Sequence, residues 1–194
     1  FHAFKLELVG SNLDPITKLE NKGEAFYNYF LGSDKSKWVS NIRGGKVVHY
    51  SEIYDNIDLV FSTKNGQLKY EFIVYPGGNP DEIQLEIIGS NDNKIDRGAF
   101  VVKTSLRDFI DNPPVVYQND ILKPIESSYH LKGNILSYTF PQGYDSSDTL
   151  RIDPFVEFST FSGSFAQNFG YTATYDRFGF LYSGGTIFSQ DYPT

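Results

Sequence analysis

Apolar and polar side chains alternate along much of this chain, and this period of two constrains its fold more than any other feature. Residues 4–8 have Phe or Leu at every second position, between charged residues, as a strand with one buried face does. Residues 57–61 and 68–74 have a similar character and flank Asn65-Gly66, a dipeptide typical of the two-residue turn of a β-hairpin. Further strands are predicted at 47–50, 83–88, 99–104, 115–118, 128–131 and 136–140.

Clusters of turn-forming residues separate these segments and leave little room for helix. They predict turns at 76–80, 89–93, 111–114 and 132–134. Helix-start signals occur at 33–38, where Ser33 or Asp34 would be the cap, and at 79–82, where Pro follows Asn79. Each segment is long enough for one turn. We therefore predict an all-β chain whose main part is an antiparallel, β-sandwich-like domain of two packed sheets.

A change in composition at Asp153-Pro154 predicts a domain boundary. Proline disfavours helix before it and interrupts a sheet ladder, and the residues that follow are rich in Gly, Ser, Thr and aromatic residues. Short strands at 158–164, 169–176 and 180–186 would give this tail the size of one propeller blade. We predict a β-sandwich-like domain at 1–153, with its start expected before Phe1, and a truncated first propeller repeat at 154–194. A single blade cannot bury both of its faces, so further repeats are expected beyond Thr194.

Composition excludes several classes of protein. The 194 residues include 40 % hydrophobic and 16 % aromatic residues, which is enough for a packed core. With 17 basic and 24 acidic side chains the net charge is −7, and the densest basic stretch, Lys35-Ser36-Lys37, lies beside Asp34. Nucleic acid is therefore not an expected partner. The absence of Cys excludes disulfides, thiolate metal sites and cysteine nucleophiles. No apolar run approaches the roughly 20 residues of a membrane span, so no membrane insertion is expected.

Several short motifs follow one another in the order of one bacterial family. Residues 28–38 resemble its NYFxGxDxxKW stretch. Further matches are 54–59 to YPxIDL, 66–72 to GxLxYDF, 76–80 to PGADP, 123–124 with Tyr129 near the later strands, and 150–154 to LxIDP. Residues 158–164, 182–185 and 192–194 resemble parts of a repeat that opens with YSTYxGG. Asp55, Gly78 and Ser164 depart from the patterns and affect only local turn geometry.

The chain thus resembles, over nearly its whole length, a bacterial extracellular domain family of unknown function that precedes SBBP-type β-propeller repeats. Residues 169–176 are most similar to members from the Bacteroidetes. Such domains there belong to large surface or secreted proteins, which often end in a gliding-motility-associated or type IX secretion domain. The resemblance implies export, a modular parent protein and no established enzymatic activity, and it supplies no catalytic residues.

The residues themselves predict no catalytic or metal centre. His2, His49 and His130 lie on separate strand-like segments, whereas a zinc site needs two or three convergent ligands, so ordinary strand histidines are the better interpretation. Ser183, beside Gly184-Gly185, has the outline of a nucleophile next to an oxyanion hole. No Gly-x-Ser-x-Gly motif or base partner accompanies it, so a strand that closes on a glycine bend explains it better.

Carboxylates and amides give two further candidates. Three acidic pairs have the residue types of a glycosidase: Asp55 with Asp58, Asp81 with Glu82, and Asp145 with Asp148. Each lies in turn-rich sequence, where carboxyls are usually solvated, and a working pair needs one carboxyl whose pKa is raised by burial. Capping and turn formation are therefore expected. Asn91-Asp92-Asn93 with Asp96 is oxygen-rich enough for Ca²⁺ but lacks the spacing of a known calcium loop, so a hairpin turn is expected there.

These observations together favour a non-enzymatic structural or interaction module of a large exported protein, secreted or at the cell surface. It would cap or present a following propeller repeat array. The expected partners are the downstream repeats of the same polypeptide, with secretion machinery or surface glycans as further candidates, and no cofactor is expected. The first alternative is a carbohydrate-binding or adhesin module that uses exposed members of the 14 Tyr and 17 Phe. A hydrolase built on the acidic pairs is the second. Trp38 is expected to anchor its own turn.

Overall fold

Strands make up most of the regular structure in this protein. The computed structural model describes residues 4–64, 67–105, 108–119, 123–157, 168–175 and 181–187. The chain divides into two compact units, one of residues 2–158 and one that contains residues 159–194.

The described residues of the first unit form twelve strands. They are β1 Lys5–Leu8, β2 Ile16–Tyr29, β3 Val39–Tyr54, β4 Ile57–Lys64, β5 Gln67–Val74, β6 Leu85–Ile88, β7 Asp92–Asp96, β8 Ala99–Lys103, β9 Phe109–Tyr117, β10 Ser128–Lys132, β11 Ile135–Thr139 and β12 Leu150–Glu157. Two single turns of 3₁₀ helix, Lys35–Lys37 and Pro80–Glu82, are the helical segments of the described part. Neither turn is long enough to cross a bilayer.

The twelve strands form two antiparallel sheets. The larger sheet has eight strands in the order β2-β3-β4-β5-β12-β9-β8-β7, and the smaller sheet has four in the order β1-β6-β11-β10. All neighbouring strands in both sheets pair antiparallel. The predicted all-β class with two antiparallel sheets is therefore confirmed for the described residues.

The core is built from side chains at alternate positions of both sheets. Leu59 on β4 and Phe72 on β5 are buried, and they belong to the same cluster as Ile87 and Leu136 of the smaller sheet. Burying one such side chain stabilises the fold by roughly 1.5–3 kcal/mol. The alternation that predicted these strands is therefore also what positions the core.

Both predicted single turns form, each with a capping side chain. Asp34 Oδ1 accepts a hydrogen bond from the Ser36 amide at 3.0 Å, and Asn79 Oδ1 accepts one from the Asp81 amide at 3.1 Å. The predicted hairpin is present as paired strands β4 and β5. Its turn at Asn65-Gly66 lies outside the described residues.

The predicted turn at 111–114 is wrong, because these residues belong to strand β9. Pro113 and Pro114 fit into this strand because both of its ladders are interrupted beside them. The ladder with β8 ends at Asp111, which is opposite Phe100. On the other side, the register with β12 shifts between Asp153 and Phe155, opposite the prolines. The backbone donors that Pro lacks are thus at positions where neither ladder needs them.

Asp153-Pro154 lies within strand β12 and not at its end. The strand lies between β5 and β9 in the larger sheet and continues to Glu157. Pro154 coincides with the register shift, so the expected interruption of the ladder is a local bulge. The compact units divide after Phe158.

The described residues of the second unit form one antiparallel pair of strands. These are β13 Asn168–Tyr175 and β14 Leu181–Ile187, with a register shift between Gly170 and Thr172. The predicted strand at 158–164 lies outside the described residues. The assignment of residues 154–194 to a propeller repeat stays a prediction.

Candidate interaction surface

A two-stranded arm extends from one edge of the larger sheet. Strand β2 is the edge strand and pairs with β3, whereas β3 begins to pair with β4 only at Val47. Residues 21–46, which we call the arm, therefore form a ribbon and tip that pair with no third strand of the described residues. All side chains of the arm are exposed. No other run of this length in the described residues is exposed throughout.

The arm has large apolar side chains on both faces. Tyr27 is opposite Ile42, so these two side chains share one face. Tyr29 is opposite Val39 beyond a register shift between Tyr27 and Tyr29. Phe26, opposite Arg43, lies on the other face and is 59 % exposed. Contiguous exposed apolar surface of this kind is uncommon on a protein that works alone and typically marks an interaction site.

The tip of the arm is held by its own aromatic contacts. The rings of Phe30 and Trp38 are 5.2 Å apart in an edge-to-face arrangement. Trp38 Nε1 donates a hydrogen bond to the Gly32 carbonyl at 3.1 Å, and Lys35 Nζ lies 5.8 Å from the centroid of the Trp38 ring. Trp38 therefore anchors its turn, as predicted. Leu31 beside it remains 71 % exposed.

The base of the arm depends on the absence of a side chain at Gly45, which is opposite Lys22. A Cβ atom there would lie 2.7 Å from the Glu20 carbonyl oxygen and 2.6 Å from a methyl carbon of Leu19. Side chains do not tolerate such distances, so Gly45 permits the close approach of β2 and β3 where the arm joins the sheet.

A second feature is a carboxyl group in the core between the sheets. Asp111 on β9 is 1 % exposed, and its Oδ2 accepts a hydrogen bond from the Tyr70 hydroxyl at 2.6 Å. The Tyr138 hydroxyl lies 3.5 Å from that of Tyr70. Burial raises the pKa of Asp111 to about 6, and the hydrogen bond from Tyr70 acts in the opposite direction. Burial also raises the pKa values of Tyr70 and Tyr138.

Asp111 Oδ1 and the buried Tyr129 hydroxyl have no hydrogen-bond partner among the described atoms, and the neighbours of this carboxyl are core side chains. Sequence reasoning missed Asp111 because Asn112-Pro113-Pro114 after it predicted a turn. The available signal was its position two residues after Phe109, on the same face of an alternating segment.

Among the three acidic pairs, Asp58 differs most from what the sequence predicted. It is a buried strand residue of β4, and its companion Asp55 is exposed in the preceding turn. Asp58 Oδ2 lies 2.7 Å from His49 Nε2 and accepts from the Tyr75 hydroxyl at 3.1 Å, while Oδ1 accepts from the Glu52 amide at 2.8 Å. The expectation of a solvated turn carboxylate is therefore wrong for Asp58. Each oxygen of Asp58 contacts a residue of β3, so a structural role in holding β3 to β4 accounts for its burial.

The other two acidic pairs have the local roles that the sequence predicted. Asp81 and Glu82 are exposed in the second 3₁₀ turn. Asp145 Oδ1 accepts from the Ser147 amide at 2.9 Å and from its hydroxyl at 2.6 Å, and these bonds lower the pKa of Asp145. Asp148 caps the following Thr149 amide at 2.7 Å. Turn formation therefore accounts for these carboxylates.

The remaining candidates are not brought together. His49 lies on β3 of the larger sheet and His130 on β10 of the smaller sheet, while His2 lies outside the described residues. Ser183 lies on β14 of the second unit, where its backbone pairs with that of Ala173. Among the described residues, no three His, Asp or Glu side chains are arranged to hold a metal ion.

Most of the oxygen-rich segment at 91–96 is the edge strand β7, Asp92–Asp96, with Asn91 in the bend before it, so the predicted hairpin turn is wrong for 92–96. Asp92 pairs with Lys103, and the Asn91 amide donates to the Lys103 carbonyl at 3.1 Å. Asp96 forms an ion pair with Lys94 at 2.9 Å. The pattern of small polar residues resembles a turn, but pairing with the apolar strand β8 determines the conformation.

An apolar cavity of about 360 Å³ lies between the sheets beside the edge strand β1. Leu6 and Leu8 of the smaller sheet line it together with Tyr50, Leu59 and Phe61 of the larger sheet. The rest of the lining is also apolar or tyrosine, apart from Pro15 at its edge, so the cavity presents mainly apolar surface.

Comparison with known families identifies the first unit. The model of the family described as Domain of unknown function (DUF7948) matches residues 1–155. No curated protein and no solved structure matches the chain. Because the match covers more than half of the 194 residues, the chain belongs to the DUF7948 family of domains of unknown function.

Proposed function

We propose that this chain is a non-enzymatic structural and interaction module of a large exported cell-surface protein, which caps or presents a following β-propeller repeat array. One observation carries the proposal. The family match ends at residue 155 and the first compact unit ends at 158, so both limits coincide within three residues. A modular chain, in which a domain of this family precedes a different unit, has this arrangement.

The hairpin in the second unit supports the same proposal. Strands β13 and β14 pair with each other and form a sheet of two strands in the described residues. A two-stranded sheet is at best marginally stable in water, whereas a propeller blade has four strands and packs between neighbours. A hairpin of this kind is consistent with one part of a larger array.

The capping role is tested by thermal unfolding of three proteins: the 194-residue chain, residues 1–158, and residues 159–194. Capping predicts that residues 159–194 alone give no cooperative transition. It also predicts that residues 1–158 melt at a lower temperature than the same unit in the full chain. If residues 159–194 fold alone and both transitions are unchanged when the units are joined, capping is excluded.

A second candidate, a carbohydrate-binding module, is favoured by the aromatic side chains of the arm. Tyr27, Tyr29 and Phe30 are 48–59 % exposed, and exposed rings can stack against sugar faces. The test is binding to a glycan array by the parent chain and by Tyr27→Ala with Tyr29→Ala. Leu13→Ala is the control, since Leu13 is exposed but lies outside the arm. Binding that persists in the double variant, or no binding by the parent, excludes this candidate.

A further inference from the structure

We propose that the arm binds the acidic body of a second copy of this chain, so that two copies exchange arms reciprocally. This inference concerns the first unit alone, and it holds or fails independently of the capping role of residues 159–194. It rests on three properties of the arm: its exposed apolar faces, its charge and its size.

The exposed apolar faces require a partner. The ribbon pairs with no third strand among the described residues, and Phe26 on one face and Tyr27 on the other are both more than half exposed. An isolated two-stranded ribbon is marginal in water because it buries little apolar area. Binding to a surface would bury one face and supply the stabilisation that a third layer supplies in the sandwich.

The charge of the arm identifies the partner as acidic. Five basic residues and two acidic residues give residues 21–46 a net charge of +3. The rest of the first unit has 11 basic and 20 acidic residues, a net charge of −9. A second copy therefore presents a body of opposite charge, which favours docking of an arm onto a body and opposes the pairing of two arms.

The tip concentrates this positive charge beside apolar surface. Lys35 Nζ lies 5.8 Å from the Trp38 ring, and Asp34, which binds Ser36, also forms an ion pair with Lys37 at 3.9 Å. Both members of this pair are more than half exposed, and such a surface pair is weak enough to exchange for an acidic partner. The two lysines would therefore direct the approach of the tip to an acidic surface, and the apolar side chains would supply the buried contact.

The size of the arm suits reciprocal exchange and not a single contact. Nine residues of β2, 21–29, span about 30 Å at roughly 3.4 Å per residue, and two strands are about 10 Å wide. One docked face therefore covers roughly 300 Å² on each partner. Two reciprocal contacts bury roughly 1,200 Å² in total, which is the lower limit of stable, specific interfaces. One contact alone would fall well below that limit.

The test is the mass of the 194-residue chain in solution, measured by sedimentation velocity from about 1 to about 100 μM at low salt and at about 0.5 M salt. We expect a dimer at low salt that weakens at high salt. The variant Lys35→Glu with Lys37→Glu should raise the dissociation constant about tenfold or more. The control Lys123→Glu with Lys132→Glu changes the net charge equally, at exposed sites outside the arm, and should dimerise like the parent.

A second variant and a cross-linking experiment test the apolar contact and its location. Phe26→Ser with Leu31→Ser removes two exposed side chains, so the fold should be retained while the dimer is lost. Carbodiimide should join Lys35 or Lys37 of one copy to carboxylates outside residues 21–46 of the other. A monomer at the highest concentration, a dimer unaffected by both arm variants, or covalent dimers joined only arm to arm would each overturn the proposal. Glycan binding by a monomer, abolished by the aromatic substitutions, would assign the arm to sugars instead.

Discussion

The carboxyl group of Asp111 is buried next to the neutral hydroxyl of Tyr70, which donates to it at 2.6 Å. Burial raises its pKa to about 6, whereas an aspartate in an unfolded chain has a pKa of about 3.9. Below about pH 4 the group is protonated in both states and does not affect the pH dependence of stability. Between about pH 4 and pH 6 the unfolded chain loses the proton first, so the free energy of unfolding falls as the pH rises.

The Asp111→Asn variant should lack this loss, because an amide does not ionise and its oxygen can still accept from Tyr70. The parent should therefore lose up to about 3 kcal/mol of stability relative to the variant between pH 4 and pH 6.5, at about 1.4 kcal/mol per unit of pKa. Urea unfolding across this pH range measures the difference. Asp55→Asn, at an exposed turn position, is the control. Parallel stability curves for the parent and Asp111→Asn would contradict the prediction.

Adjacent glycines at the base of the arm provide a matched pair of substitutions. A Cβ atom on Gly45 would meet the Glu20 carbonyl oxygen at 2.7 Å, whereas one on Gly44 would have no atom within 4 Å. Gly45→Ala should therefore destabilise the first unit by about 1–3 kcal/mol, in the range of overpacking and backbone strain. Gly44→Ala should change stability by less than about 0.5 kcal/mol. Thermal unfolding of both variants gives the comparison, and equal melting temperatures would show that the β2–β3 approach is not constrained.

The arm should contribute to association and add little to the stability of the first unit. Its side chains are all exposed, so its removal takes away little buried apolar area. Lys22 and Gly45 are register partners, and residues 23–44 can be replaced by an Asn-Gly turn that joins them. The shortened protein should melt within a few degrees of the parent. A large loss of stability would mean that the arm supports the sandwich, and the proposed role in association would lose its main argument.

The same element shows what sequence could and could not predict. Segments such as β4 and β5, which are buried on one face, follow the alternation and were predicted with their approximate bounds. The distal part of the arm buries neither face, so no burial-driven alternation selects strand positions, and it was missed. Its basic character was also hidden, because Lys22 is distant in sequence from Arg43 and Lys46, and only the pairing of β2 with β3 places them on one element.

Sequence signals predicted local structure where the interaction lies within one turn of the chain. They failed where the conformation depends on pairing with a distant strand. Asn79 was identified as a cap, and Asp34 was one of two candidates for the other, because each bonds an amide two residues later. Asp111 was taken for a turn residue, and the carboxyl of Asp58 was expected to be solvated although it lies in the predicted strand 57–61, because turn formers lie beside both. Their burial depends on strands more remote in the chain, such as β5, which supplies Tyr70 to Asp111. Sequence periodicity carries no information on such long-range partners.

At the level of the whole chain, hydrogen exchange should reveal a gradient of local stability from the arm to the central strands. Strand β12 pairs on both sides, and its side chains Leu150 and Ile152 are fully buried. Its amides should exchange only through global unfolding, whereas the amides of residues 21–46 need only separation of the exposed ribbon. In dilute solution the arm should therefore exchange faster than β12 by several orders of magnitude, as measured by mass spectrometry of peptic fragments.

Raising the protein concentration separates the intrinsic stability of the arm from its association. If arms are exchanged between copies, protection of residues 21–46 should increase with concentration at low salt, while protection of β12 changes only as global unfolding does. The Lys35→Glu, Lys37→Glu variant should lose the concentration dependence but keep the fast exchange of the dilute chain. Arm amides as protected as those of β12 in dilute solution would show instead that the ribbon is stable alone. The need for a partner would then disappear, since an arm that holds its structure unaided has no folding reason to bind another surface.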